Sequence, residues 1–201
     1  MKNPREPDEE LLEDALRAPE GNYEAFERLV RRYQNKVVAN CRYLTRNPEF
    51  SEDLAQEVFV KVFFAMGRFE GRSSFRTWIQ RIKINHCLNF LKKQGRKTFL
   101  DVEDEKVKNM GELALRPAVE EVMMNHDERE RITAILDAMS DSLRIPLLMR
   151  DMDQLSYQEV AEGLGVGLSA VKMRIKRGRE EFRRRYRELS GEREPLAAAR
   201  R

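Results

Sequence analysis

Cysteine is scarce in this chain, since only Cys41 and Cys87 occur among its 201 residues. Two cysteines so far apart in the sequence provide neither a disulfide framework nor the CxxC spacing of a zinc site. His86 adjoins Cys87, but neighbouring residues on a helix point about 100° apart and cannot readily share one ion. We therefore expect a reducing environment, with neither a metal site nor a bound cofactor.

Long apolar runs are missing as well. No stretch approaches the roughly 18 consecutive apolar residues of a membrane-spanning helix, and the N-terminus lacks the apolar segment of an export signal. The glycine-rich phosphate loops and nucleophile motifs of enzymes are also absent from the sequence. We expect a cytoplasmic protein that does not insert into membranes and is not an enzyme.

Acidic residues are absent from residues 71–100, although Asp and Glu supply 35 of the 201 residues. This segment interleaves cations with aromatic side chains, namely Arg72, Phe75, Arg76, Trp78, Arg81, Lys83, Phe90, Lys92, Lys93, Arg96, Lys97 and Phe99. The combination is typical of surfaces that bind nucleic acid, because cations contact phosphates and aromatic rings stack on bases. A basic helix face exposed only to solvent is the alternative interpretation.

Charge is distributed unevenly along the chain, although the formal net charge is only +3. A second basic block spans residues 172–187. Residues 1–20 hold seven acids against three bases, and residues 101–131 hold ten acids against five bases. Two concentrated basic blocks in a nearly neutral chain predict a nucleic-acid partner.

Apolar residues recur at helical spacing and strand-like alternation is missing, which predicts an all-α fold. A first core helix carries the apolar stripe Tyr23, Phe26, Leu29, Val30, Tyr33, Val37 and Val38. This helix is expected to end near Pro48, because proline disfavours a helical residue before it. Ser51 predicts the N-cap of a second helix that ends at Met66 or Gly67. A loop rich in glycine and serine then precedes a third, basic helix that begins near Phe75.

The C-terminal part of the sequence predicts a helix-turn-helix motif. One helix is expected around Pro146, with the proline in its first turn. Ser156 predicts an N-cap and Gly165 a tight turn before a long final helix. The second helix of such a motif enters the DNA major groove, so its exposed first half is expected to contact bases through Ser169, Lys172, Met173 and Lys176. Phosphate contacts are expected from Arg174, Arg177, Arg179, Arg183, Arg184 and Arg185.

These features predict two small helical domains joined by a flexible linker. The expected segments are a charged N-terminal arm (1–22), a first helical domain (23–98), an acidic linker (99–126), a helix-turn-helix domain (127–190) and a tail (191–201). Locally acidic segments beside basic domains keep the positive charge concentrated where phosphates bind.

Three stretches resemble the sigma-70 factors of bacterial RNA polymerase, in the same order and at the same spacing. The string YQEVAEGLGVGLSAVKMRIKRGREEF resembles their promoter-reading helix-turn-helix. The strings SEDLAQEVFVKVF and FRTWIQRIKINHCLNFLKKQGR resemble the conserved domain of the extracytoplasmic-function (ECF) branch. The resemblance covers residues 23–97 and 127–187 and implies an alternative sigma factor that binds core RNA polymerase and promoter DNA. Members of this branch are often held inactive by an anti-sigma factor, which is the third implied partner.

The resemblance also implies a role for the helix that carries the Asp-x-x-Gln-Glu pattern. In that family this helix docks on the clamp-helix region of the largest polymerase subunit. The implied polymerase-binding residues are Asp53, Gln56, Glu57, Val60 and Phe63. A polar rim around aromatic anchors fits a protein interface, although Phe59 and Phe63 both also fit core positions.

Two DNA-binding surfaces are implied in the same way. The loop and helix that follow capture the melted −10 element, which implies DNA contacts for Phe69, Arg72, Ser73, Ser74, Phe75, Arg76, Trp78, Arg81 and Asn85. For Trp78, a core position is an equally good interpretation. The −35 element is implied to be read by Ser169, Lys172, Met173 and Lys176, with Arg174 and Arg177 on the DNA backbone.

The sequence departs from the family pattern at three places. Asp141-Ser142 stands where Leu-Pro is usual, Ser169-Ala170 where Gly-Thr is usual, and Gly178 where an alanine is usual, which costs a helix up to about 1 kcal/mol. Two other function classes therefore stay open. One is a stand-alone helix-turn-helix regulator that binds duplex DNA tightly without polymerase, and the other is an anti-sigma-like or scaffolding protein without specific DNA binding.

Overall fold

A computed structural model describes residues 7–95 and 126–190 of the chain. Within these ranges the secondary structure consists of helices, without a strand, which confirms the all-α prediction. The chain divides into two compact units, 1–97 and 98–201, and each is described by itself below. In the part of the chain that the structure describes, no helix has the length and apolar character needed to cross a membrane. The expected acidic linker and C-terminal tail lie outside the described residues.

The first unit is a four-helix arrangement built around its longest helix. Its elements are α1 (Asp8–Arg17), α2 (Glu24–Thr45), α3 (Ser51–Ala65), a 3₁₀ turn (Met66–Arg68) and α4 (Phe75–Lys93). Helix α2 packs against α1, α3 and α4, so that its buried residues lie at the centre of the unit. Core residues at the centre include Leu29, Val37, Leu44, Val58 and Ile79, each no more than 2% exposed.

Helix α1 differs from the expectation of a charged arm over residues 1–22. Leu11 and Leu12 are buried, and the Asp8 carboxylate accepts hydrogen bonds from the Tyr33 hydroxyl and the Arg32 guanidinium on α2. Burial, together with the Asp8 carboxylate, raises the pKa of the Tyr33 hydroxyl above its usual range. A helix of such high charge packs because two of its leucines are buried and because Asp8 finds partners on the adjoining helix.

The N-cap residues of α3 and α4 are Phe50 and Ser74, whereas the sequence predicted Ser51 as the N-cap of α3. Helix α3 begins at Ser51 rather than after it, and its N-cap is Phe50. The Ser51 hydroxyl donates to the Pro48 carbonyl at 2.7 Å, so it serves the preceding turn and not the helix amides. Helix α4 has Ser74 at its N-cap, with the hydroxyl oxygen accepting from the Thr77 amide at 3.2 Å.

Cys41 on α2 and Cys87 on α4 are free thiols that meet in the core of the first unit. Their sulfur atoms lie 3.6 Å apart and both residues are fully buried. The two residues are distant in the sequence, but the packing of α2 on α4 brings them together. Among residues 7–95 and 126–190, no group of three or more His, Cys, Asp and Glu is arranged to hold a metal ion.

The second unit consists of α5 (His126–Ala138), α6 (Asp141–Asp151), α7 (Tyr157–Leu164) and α8 (Leu168–Ser190). Helices α5, α6 and α7 all pack on α8. The capping box of Ser156 and Glu159 at the start of α7 confirms the predicted N-cap, and Gly165 adopts a φ of 67° at the predicted turn. The expectation of a short helix starting near Pro146 was wrong, because α6 begins at Asp141 and holds Pro146 in its interior.

Close packing of α8 on α6 explains the glycine at position 178, where the family usually has alanine. A Cβ atom at Gly178 would lie 3.0 Å from the Leu143 carbonyl oxygen and 3.5 Å from the Leu147 Cβ, because α8 crosses α6 closely at this point. A backbone oxygen cannot move away as a side chain can. Gly163 on α7 provides the contrast, because its nearest neighbour is the flexible end of Met149, with Cε at 3.1 Å.

Substituting these two glycines by alanine is therefore expected to have opposite effects. Gly163→Ala should raise the free energy of unfolding by about 0.5–1 kcal/mol, the usual gain from alanine in a helix. Gly178→Ala should lower it by up to about 2 kcal/mol, because overpacking costs about 1–3 kcal/mol and exceeds that gain. Thermal unfolding followed by circular dichroism measures both. Equal stabilisation by the two substitutions would show that the approach of α8 to α6 does not require glycine.

Candidate nucleic-acid and protein interfaces

Helix α3 has one buried and one exposed face, and the exposed face carries four of the five residues predicted to bind polymerase. Leu54, Ala55, Val58, Phe59 and Val62 are buried against the rest of the unit. Asp53, Gln56, Glu57 and Val60 are all exposed. We call the exposed residues Asp53, Gln56, Glu57 and Val60 the α3 stripe. A row of polar groups beside an apolar side chain has the composition of a protein-binding surface with a polar rim.

Glu57 of the α3 stripe also contacts the neighbouring helix. Its Oε2 atom lies 3.0 Å from Nε2 of His86 on α4. Burial lowers the pKa of His86, and the attraction of Glu57 opposes that shift without reversing it. The imidazole is therefore largely neutral at pH 7, because its pKa lies below the ordinary value of about 6.5. This contact joins α3 to α4 directly beneath the exposed face.

Phe63 and Phe64 differ in exposure, although they are neighbours at the end of α3. Phe63, predicted to bind polymerase, is half-buried in edge contacts with Tyr23 and Phe26, at ring centroid distances of 5.7 and 5.1 Å. Phe64, which the sequence interpretation missed, is 78% exposed. Its spacing of four residues from Val60 is the signal that would have placed it on the exposed face.

The predicted −10 surface centres on an aromatic cluster where the loop meets α4. The Phe69 ring lies 5.3 Å from Trp78 and 6.0 Å from Phe75, and Phe75 lies 5.9 Å from Tyr33. Phe69 and Trp78 are half-buried, whereas Phe75 is 1% exposed. The Phe75 ring fills the core beneath the other two, so it has little surface for the DNA contact predicted for it. Half-buried Phe69 and Trp78 retain ring surface that can stack on a base.

Polar groups surround this cluster, and several already have partners within the protein. Arg72 is exposed and its guanidinium lies 2.5 Å from the Glu70 carboxylate. The Ser74 hydroxyl is engaged at the α4 N-cap. Ser73 and Arg76 are half-buried, and Arg81 and Asn85 are exposed. Exposed cations next to exposed ring surface match the requirements of a single-stranded nucleic acid, namely phosphate attraction and base stacking.

Lys83 does not contribute to the basic surface inferred from the sequence. The residue is fully buried, and its ammonium donates to the Gln80 side-chain oxygen at 2.6 Å. Burial of a lysine requires such a hydrogen-bonding partner, because the unpaired charge is costly in the core. The basic block from residue 71 onward is therefore less continuous on the surface than it is in the sequence.

The first half of α8 presents most of the predicted −35 residues. Ser169, Lys172 and Arg177 are exposed, and Met173 and Lys176 are half-buried. Arg174 is 4% exposed, so little of its side chain is available for the phosphate contact predicted for it. Residue 174 follows Val171 and precedes Ile175 and Gly178 on the face that packs against the rest of the unit, which explains its burial.

Several later arginines of α8 are ion-paired within the protein. Arg179 forms a bidentate pair with Asp151, at 3.0 and 2.6 Å, and this hydrogen bonding raises its pKa further. It therefore joins α8 to α6, and this pair engages the guanidinium that was expected to contact a phosphate. Arg184 pairs with Glu188 at 2.7 Å and Arg185 with Glu181 at 2.9 Å, each one helical turn away. The exposed pair of Arg184 is worth little and can open toward a phosphate, whereas the pair of Arg185 is partly buried.

Tyr157 is a residue at this surface that the sequence interpretation missed. The Arg150 guanidinium lies 4.8 Å from the centre of its ring, and the Lys172 ammonium lies 5.9 Å from the same ring. Attraction between a cation and an aromatic face is worth about 0.5–1 kcal/mol at exposed sites. Tyr157 therefore helps to position Lys172, one of the residues predicted to contact bases.

The sequence is similar to known proteins over most of its length. Residues 29–97 match the family described as Sigma-70 region 2, and residues 129–182 match Sigma-70, region 4. The ECF RNA polymerase sigma-E factor of Escherichia coli is 33% identical over 179 residues, covering 86% of this chain and 93% of that protein. The RNA polymerase sigma-H factor of Pseudomonas aeruginosa is 31% identical over 181 residues, covering 88% and 92%.

Solved structures extend the likeness to the fold. CnrH in complex with the cytosolic domain of CnrY aligns with a TM-score of 0.58 at 21% identity, covering 92% of this chain and 99% of that chain. The sigma factor RpoE in complex with the anti-sigma factor NepR from Bartonella quintana aligns with a TM-score of 0.59 at 20% identity, covering 84% and 98%. At these identities the two structures support the fold alone.

Proposed function

The chain belongs to the ECF branch of the sigma-70 factors, and we propose that it performs the task of that branch through the surfaces described above. It is an alternative sigma factor, a subunit that binds core RNA polymerase and directs promoter recognition, DNA melting and the start of transcription. Such subunits are non-catalytic in the family, and we propose the same for this chain. Its place of action is then the cytoplasm, where polymerase meets DNA.

Each surface has one task in the proposed function. The α3 stripe binds core polymerase. Phe69 and Trp78, with exposed Arg72, Arg81 and Asn85, hold the unpaired strand of the −10 element. The first half of α8, through Ser169, Lys172, Met173, Lys176 and Arg177, reads the −35 element in the major groove. The first domain then runs from α1 to the end of α4, and the second from α5 to the end of α8.

The observation that supports this proposal most directly is the presence of two different exposed faces on the first unit. The α3 stripe carries Asp53 and Glu57, whose negative charges repel DNA phosphates, and it is therefore suited to a protein partner. The −10 cluster instead combines ring surface with cations and is suited to a single strand. A stand-alone regulator, which binds duplex DNA, requires neither of these faces.

We also propose an anti-sigma factor as a regulator. The two structures of similar fold were both determined as complexes, one with the cytosolic domain of CnrY and the other with the anti-sigma factor NepR. A partner that covers the α3 stripe or the first half of α8 competes directly with polymerase or promoter DNA. The chemistry of the two faces permits such competition, because each is an exposed surface with side chains suited to binding.

Promoter-dependent transcription by core polymerase and the purified protein tests the proposed function. Core enzyme with the protein is expected to initiate from a cognate promoter, whereas core enzyme alone does not. The cognate sequence is obtained by selection from a random library with the assembled holoenzyme. The protein alone should bind duplex promoter DNA weakly, since each unit reads only a few bases and the two gain specificity by acting together. Tight duplex binding without polymerase, and no capture of core enzyme, would instead identify a stand-alone regulator.

A further inference from the structure

Phe64 is the most exposed large apolar residue in the described part of the chain. It is 78% exposed, compared with 55% for Val60 and Leu189. Its ring touches Phe63, at a centroid distance of 5.6 Å in an edge arrangement. Single exposed apolar residues are common on protein surfaces, so the position of Phe64 relative to other functional residues decides whether its exposure is informative.

Phe64 lies on the exposed face of α3, in line with the α3 stripe. With about 100° between successive helical residues, Asp53, Glu57, Val60 and Phe64 fall within about 60° of one another. They follow the spacing i, i+4, i+7 and i+11 along the helix, so that Phe64 continues the α3 stripe by one turn. Val60 and Phe64 thus form an apolar end of a stripe whose other end is acidic.

Phe63 is not equivalent to Phe64, although the two are neighbours in the sequence. Phe63 is turned toward α2, where Phe26 and the adjacent Tyr23 hold its ring at 5.1 and 5.7 Å. These contacts keep part of Phe63 out of reach of a partner.

We propose that Phe64 is an anchor of the polymerase interface, inserting into an apolar pocket of core polymerase next to the partners of Asp53 and Glu57. The inference rests on the proposed function and extends the contact surface beyond the residues implied by the family resemblance. Aromatic residues are enriched among those that dominate interface energetics, where surrounding polar groups exclude water from them. Phe64 is a strongly exposed aromatic in line with the polar residues of the α3 stripe.

Core polymerase is the favoured occupant because Phe64 continues the α3 stripe, which is proposed to bind this partner. An anti-sigma factor or a second copy of the chain are the other occupants, and unchanged affinity of Phe64→Ala for core polymerase would point to one of them.

The test measures the affinity of fluorescently labelled full-length protein for purified core polymerase. Phe64→Ala is expected to weaken binding by about 30-fold, the loss typical of an interface anchor. Phe64→Leu, which retains apolar area, should stay within about threefold of the native chain. Phe50→Ala is the matched control, because Phe50 is also an exposed aromatic, at 44%, but precedes α3 instead of lying on its exposed face. Circular dichroism checks that each variant is folded.

The outcomes separate this inference from the proposed function. If the native chain does not bind core polymerase, the proposed function fails. If the native chain binds and Phe64→Ala binds equally well, the Phe64 inference alone is wrong. Size-exclusion chromatography over a range of concentrations covers self-association, and a native dimer abolished by Phe64→Ala with unchanged polymerase affinity would also overturn the inference. Equal losses in Phe64→Ala and Phe50→Ala would indicate a general effect on the fold and would overturn it as well.

Discussion

Core RNA polymerase is expected to bind the double variant Asp53→Arg, Gln56→Ala at least about 100-fold more weakly than the native chain, a loss of about 2.7 kcal/mol. Both residues are exposed members of the α3 stripe. The substitution reverses a charge at the acidic end of the stripe and removes a group that both donates and accepts hydrogen bonds. A like charge placed against a partner that complements Asp53 costs several kcal/mol, and a truncated amide leaves the partner's group unpaired.

The control for this prediction must separate binding from helix stability. Asp53 lies in the first turn of α3, where an acidic side chain favours the helix by about 0.3–1 kcal/mol. Glu52→Arg reverses the same charge in the same turn, about 100° around the helix from Asp53. Fluorescence titration of core polymerase with both variants is the measurement. If Glu52→Arg weakens binding as much as the double variant, then general charge and not the α3 stripe determines the affinity.

Much of the architecture follows from local patterns in the sequence. The helical spacing of apolar residues predicted the all-α fold, and the capping box after Ser156 marked the start of α7, because such patterns act within a single turn. Pro146 was misread for the same reason. Its position in the interior of α6 depends on how α6 packs on α8, and a local rule places proline in a first turn.

Contacts between distant segments were not predictable from the sequence. Helix α1 appeared as a charged arm because its acids outnumber its leucines, yet Asp8 finds Tyr33 and Arg32 across the fold. The sequence marks Arg174 and Arg179 as cations, but only the packing of α8 determines that one is buried and the other pairs with Asp151. The tertiary contacts of each cationic side chain in a recognition helix thus determine whether it stabilises the fold or can bind DNA.

The second large effect is expected from Phe75, because it is the buried member of the −10 cluster. Phe75→Ala should lower the free energy of unfolding of the first unit by about 3–5 kcal/mol, the cost of removing a fully buried aromatic ring. The ring contacts Tyr33, Phe69 and Trp78 at centroid distances of 5.7–6.0 Å, so its loss leaves a cavity beneath the residues proposed to stack on DNA. Phe75→Leu fills part of that cavity and should cost considerably less.

Trp78 makes this prediction measurable in the first unit alone. It is the single tryptophan of the chain and its ring lies 5.7 Å from Phe75, so intrinsic fluorescence during urea unfolding reports on the unit that carries the substitution. Phe69→Ala is the matched variant, because Phe69 is half-buried in the same cluster and should lose less stability but more affinity of the holoenzyme for an unpaired −10 strand. The free energy of unfolding thus reports on structural support of the surface, and the affinity for the unpaired strand reports on contact with DNA. An unchanged unfolding curve for Phe75→Ala together with weakened strand binding would return Phe75 to a direct role at the −10 element.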